Sequence, residues 1–116
     1  DKWGSELVGD SGYSSVGAVV GATYPEQAER IRKIIPRSII LVPGYGAQGG
    51  NAKSVVVNFN DDGLGAVVNA SRSILYAYKS DRWSGAYDED AYADAARAEA
   101  VYMRDEINME LEKRQK

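Results

Sequence analysis

Neither cysteine nor histidine occurs in this chain. The first absence excludes a disulfide framework and thiolate chemistry, and it fits a reducing, cytoplasmic setting. The second removes the commonest transition-metal ligand and the usual general base, so no metal site is expected. Any chemistry must rest on Lys, Asp, Glu, Tyr, Arg or backbone groups. No apolar run approaches the roughly 20 residues needed to cross a bilayer, and no positively charged leader with an apolar core opens the chain. A basic excess is missing too. With 14 Lys and Arg against 17 Asp and Glu, the net charge is −3, and no basic stripe invites nucleic acid. The acidic surplus lies in the segment from Asp88 to Lys116. Proline is sparse, with three in 116 residues, and each marks a boundary.

What is present is globular: 44% apolar and 27% charged residues suit one domain or part of one. The opening through Ser15 has no clean period. Val16–Thr23 is small and apolar without alternation, as in a strand buried on both faces of a parallel sheet. Pro25 suits the first turn of a helix whose apolar stripe is Ala28, Ile31, Ile34 and Ile35, and Pro36 stops it. Ile39–Val42 is a second buried strand. In Val55-Val56-Val57 local propensity favours a strand. A parallel crossover, however, usually contains a helix, so Asn51 is read as the N-cap of a short helix from about Ala52 to Phe59. Asp61-Asp62-Gly63 reads as a turn, since the later carboxylates of a calcium loop are missing. A third strand, Gly65–Asn69, leads to a short helical piece at Ser73–Tyr78. From Asp88 to Lys116 runs a long helix, roughly 40 Å. Its stripe is Tyr92, Ala96, Ala100, Met103, Ile107 and Leu111, with acids at its start and bases at its end.

The most informative stretch is Leu41-Val42-Pro43-Gly44-Tyr45-Gly46-Ala47-Gln48-Gly49-Gly50. A strand ends there in a glycine-rich loop, where backbone can approach a ligand closely. The next strand runs into Asn69-Ala70-Ser71-Arg72-Ser73 and sets a guanidinium at its end. A glycine loop and an arginine at the ends of consecutive parallel strands form the usual phosphate site of an α/β barrel. Three strand–helix units are too few for a barrel of eight, typically about 250 residues. The expected fold class is therefore α/β, residues 1–116 forming the C-terminal segment of one TIM (β/α)₈ domain.

The strings Pro43–Gly50 and Asn69–Ser73 together resemble the C-terminal part of orotidine 5′-phosphate decarboxylase. Val20-Gly21-Ala22-Thr23-Tyr24-Pro25-Glu26 resembles the longer bacterial branch of that family. The resemblance implies a cofactor-free decarboxylase of pyrimidine biosynthesis, converting orotidine 5′-phosphate to UMP and carbon dioxide, cytoplasmic and homodimeric. It implies that Gln48 bridges phosphate and pyrimidine on a closing loop, and that Arg72 and Ser71 grip the phosphate beside Pro43 and Gly44. Ser71 stands where many relatives have glycine, a change that keeps the backbone donor. The family's Asp-x-Lys-x-x-Asp motif, which holds its proton donor and carboxylates, has no match here. The resemblance thus implies a chain that binds the substrate's phosphate, contains no catalytic residue, and depends on the N-terminal part of the same barrel.

Two other readings stand beside this one: a stand-alone phosphate-binding module without catalysis, and another phosphate-binding barrel, such as a pentulose-phosphate or tryptophan-pathway enzyme. The Gly-Ala-Gln-Gly-Gly string argues against the second. Tyr45 is expected to cap the barrel mouth, and Trp83 and Tyr87 to anchor the last helix.

Overall fold

The computed structural model describes residues 2–46 and 51–114. Within them strand and helix alternate: β1 (Ala18–Val19), α1 (Pro25–Ile34), β2 (Ile40–Val42), α2 (Ala52–Val56), β3 (Ala66–Val68), α3 (Arg72–Leu75) and α4 (Tyr92–Arg114). The strands form a parallel sheet in the order β1-β2-β3, with Val19 beside Leu41 and Leu41 beside Val67. β1 is shorter than the expected Val16–Thr23. Its pairing nevertheless continues past its end, with the Val20 and Ala22 N–H groups donating to Leu41 and Pro43 carbonyls at 2.9 and 3.3 Å.

Topology prevails over propensity at Val55-Val56-Val57. Asn51 Oδ1 accepts from the Ser54 N–H at 2.9 Å, and Ser54 Oγ accepts from the Asn51 N–H at 2.9 Å. This reciprocal cap starts α2 and outweighs the β-branched run. The helix ends at Val56, three residues earlier than expected, and its apolar side chains enter the core. Asp61-Asp62-Gly63 forms the expected turn, with the Gly63 N–H donating to the Asn60 carbonyl at 2.9 Å.

The sheet has one covered and one bare face. Val20, Ile40 and Val42 pack beneath Ala28, Val55, Val56, Phe59, Met103 and Ile107 from α1, the α2 region and α4. The alternate residues Val19, Leu41 and Val67 form an in-register apolar row that is 69%, 40% and 57% exposed. The helices therefore cover a single side of the sheet.

Two helical stripes differ from expectation. On α1, Ile34 is exposed and Arg32 is buried in its place. The Arg32 guanidinium donates to the carbonyls of Asn58, Gly65 and Ser38 at 3.1, 2.9 and 2.7 Å, and also to that of Ile35. These carbonyls lie in the connections that flank α1, α2, β2 and β3, so the fork ties α1 to the turn after α2 and to the entry of β3. Burial lowers the pKa of this guanidinium. Gly65, at φ +94°, is required here, since a Cβ would stand 2.8 Å from Asn60 Nδ2 and 3.1 Å from Arg32 Nη1. Replacing Arg32 by methionine leaves these carbonyls without their donor and is expected to cost about 3 kcal/mol. Thermal unfolding checks this.

On α4 the C-terminal half of the expected stripe holds, with Met103 and Ile107 buried. In the N-terminal half the buried residues are Ala95 and Glu99, while Tyr92 is 60% exposed. Glu99 enters the interior because it is fully partnered. Arg82 Nη1 donates to both its oxygens at 2.9 Å, and Trp83 Nε1 donates to Oε2 at 2.7 Å. Trp83 is thus tied to the last helix, as expected, through a hydrogen bond.

Candidate functional site

β2 and β3 are adjacent and parallel, so the segments leaving their C-terminal ends emerge side by side. The Asn69 N–H donates to the Val42 carbonyl at 2.9 Å and carries the pairing to the last residue before each loop. Pro43, Gly44 and Tyr45 on one side and Asn69, Ala70, Ser71 and Arg72 on the other line a cleft of about 160 Å³. That volume is below the roughly 300 Å³ at which small-molecule pockets begin. It suits one group of a ligand, such as an oxyanion.

The backbone and side chains of the cleft suit an anion. Gly44 and Gly46 have φ of +91° and +81°, a left-handed conformation that glycine adopts without strain. A Cβ at Gly46 would lie 3.2 Å from Ser73 Oγ, so the loop after β2 runs close against the start of α3. Ser71 is the N-cap of α3 and makes no side-chain cap bond, so its side chain satisfies no first-turn N–H of that helix. Arg72, the first residue of α3, is exposed and borders the cleft.

Four residues singled out in the sequence, Pro43, Gly44, Ser71 and Arg72, thus meet at one cleft. Gln48 lies outside the described residues. Among the described residues no cluster of acidic side chains could hold a metal ion, and no helix is long and apolar enough to cross a membrane.

Tyr45 lines the same cleft with its side chain turned toward α4. Its ring is buried, and its hydroxyl donates to Glu106 Oε2 on α4 at 2.5 Å. The sequence offers one hint of this in hindsight, a large side chain between two glycines with no other anchor nearby. Burial, and then the neighbouring Glu106 carboxylate, raise the phenol pKa above its ordinary value of 10.0. An unfolded chain releases this proton near pH 10 while the folded one retains it. Stability is therefore complete below pH 10 and falls as pH rises beyond it, by about 1.4 kcal/mol per unit. The alkaline loss measured by denaturant titration at pH 9 and pH 11 is expected to be smaller in Tyr45→Phe by about that amount.

The chain is similar to proteins named orotidine 5′-phosphate decarboxylase. The one from Rhodopirellula baltica is 52% identical over 96 residues, 83% of this chain and 32% of that protein. The one from Clostridium tetani is 44% identical over 104 residues, 90% of this chain and 34% of that protein. Among solved structures, the UMP synthase of Leishmania donovani superposes with a TM-score of 0.61 at 34% identity, over 83% of this chain and 18% of that one. No protein-family model matches the chain. The chain spans about a third of the length of the curated relatives it matches, in keeping with a C-terminal portion. The resemblance read from the glycine loop and the arginine turn extends over most of the chain. The fold is a partial α/β unit, a parallel sheet with a long C-terminal helix, like part of the TIM barrel of these decarboxylases.

Proposed function

We propose that this chain is the C-terminal section of a (β/α)₈ orotidine 5′-phosphate decarboxylase, and that it supplies the phosphate-binding part of the substrate site. The observation that carries this reading is the single cleft shared by Pro43 and Gly44 after β2 and by Ser71 and Arg72 after β3. In the proposed complex the Arg72 fork and backbone N–H groups bind the phosphate, and Gln48 bridges phosphate and pyrimidine. No residue of this chain touches the carbon that loses carbon dioxide. The Lys/Asp array that the resemblance calls for would stand on the N-terminal part of the barrel, and this chain alone would be inactive.

The chemistry supports this division of labour. Loss of the 6-carboxyl leaves a carbanion that no cofactor delocalises, so stabilisation must come from charges prepared in advance. Binding energy at the remote phosphate, realised as the loop closes and excludes water, can be used at the reacting carbon. The proposed enzyme is a cytoplasmic homodimer acting on a nucleotide without a cofactor.

The exposed row Val19, Leu41 and Val67 favours a missing barrel over a stand-alone module. In a closed barrel alternate strand residues fill the interior in layers, and this row has that register. The test is decarboxylation of orotidine 5′-phosphate by the full-length protein, followed as product UMP. Turnover by the full-length protein and none by residues 1–116 are expected. A folded full-length protein that neither binds UMP nor forms it would sink the proposal, and turnover by residues 1–116 alone would sink the division of labour.

A further inference from the structure

We infer that Glu106 is a positioning residue for the phosphate site: from α4 its carboxylate holds Tyr45, and through Tyr45 it fixes the turn Gly44–Gly46 against Arg72. This inference rests on the proposed phosphate-binding reading of the cleft and adds a residue far from it in sequence.

The argument starts from the backbone. Glycine has access to more φ/ψ space than any other residue, and Gly44 and Gly46 flank Tyr45 on both sides with positive φ. Within that turn Tyr45 is the sole side chain beyond a hydrogen atom. Where its ring is held, the direction of the turn is held. The ring is 5% exposed and its hydroxyl donates to Glu106 Oε2. Such a bond to a carboxylate is about twice as strong as one between neutral groups. Among the described residues no cation pairs directly with Glu106, although the Arg82 guanidinium bonded to Glu99 lies close enough to feel its charge. Glu99 and Tyr102 of α4 also face the phenol, and both favour its protonated, donating form. Arg82 lies 3.7 Å over the Tyr102 ring and is bonded to Glu99. On its other side the turn meets α3. Gly46 approaches Ser73, the residue after Arg72, so closely that a Cβ would stand 3.2 Å from its Oγ. The turn is thus held between α4, through Tyr45 and Glu106, and the first turn of α3 that carries Arg72.

The experiment compares the full-length protein with Tyr45→Phe, Glu106→Leu, Glu106→Gln and the Tyr45→Phe/Glu106→Leu double variant. The readouts are the dissociation constant of inorganic phosphate and the ultraviolet titration of tyrosine. Tyr45→Phe and Glu106→Leu are each expected to weaken phosphate binding roughly 10-fold, and the double variant no more than either. Glutamine can still accept the phenol proton, so Glu106→Gln is expected to restore most of the affinity lost with leucine. In Glu106→Gln one tyrosine is expected to ionise at lower pH than in the parent. Variants that bind phosphate as the parent does, or losses that add in the double variant, would overturn the positioning role alone. A parent that binds neither phosphate nor UMP would overturn the phosphate-site reading itself, and this role with it.

Discussion

Replacing Arg72 by alanine in the full-length protein is expected to lower kcat/KM for orotidine 5′-phosphate by roughly 100- to 1,000-fold. A charge-assisted bond to phosphate contributes about 1.5–3 kcal/mol, and a guanidinium fork can make two in parallel. The loss should appear in kcat as well as in KM. In the proposed mechanism the phosphate contacts strengthen as the loop closes, so part of their energy is realised in the transition state. Two controls make the expectation specific. Arg72→Lys keeps the charge and loses the planar fork, so it should fall between parent and alanine. Orotidine without its phosphate should react equally slowly with parent and variant, because the group that Arg72 would contact is absent. An equal fractional loss on the phosphate-free substrate would place Arg72 in a structural role.

Much of this architecture was legible in the sequence because the informative residues sit at element boundaries. Pro25 begins α1, Asn51 caps α2, and the runs at Ile39–Val42 and Gly65–Asn69 contain β2 and β3. Pro43, Gly44, Ser71 and Arg72 met at one cleft because consecutive parallel strands must bring their C-terminal ends together. What escaped were polar groups buried by partners distant in sequence. Arg32 occupies a core position of α1 because carbonyls from three other segments surround it, and hydrophobic periodicity reads it as surface. Glu99 shifts the buried line of α4 for the same reason, being partnered by Arg82 and Trp83. The partner that buries the Tyr45 hydroxyl, Glu106, lies 61 residues on, where no local pattern can report it. In all three cases the period of the sequence reports apolar surface, whereas the fold also buries polar groups that find hydrogen-bond partners elsewhere in the chain.

Residues 1–116 expressed alone are expected to associate and to bind an apolar dye, and supplying the N-terminal part of the barrel should abolish both. The row Val19, Leu41 and Val67 lies in register across the bare face of the sheet. Covering it would contribute about 3 kcal/mol at the usual value for apolar burial. That is a large share of the 5–15 kcal/mol by which domains are stable. Among the described residues β1 and β3 each have one neighbour, β2, so each presents an outer row of unpaired backbone groups. Such edges recruit other chains. A barrel removes both liabilities at once, closing the edges and filling the interior with the exposed row. Substituting Leu41 by lysine separates this account from mere marginal stability. In residues 1–116 alone the charge falls on a wet face, so it should improve solubility and cost little. In the full-length protein it would be driven into the packed barrel interior, where an unpaired charge is strongly disfavoured, and should prevent folding. Ultracentrifugation of the fragment and thermal unfolding of the full-length variant measure the two effects. A fragment that is monomeric, melts cooperatively and binds no dye would establish residues 1–116 as an independent module.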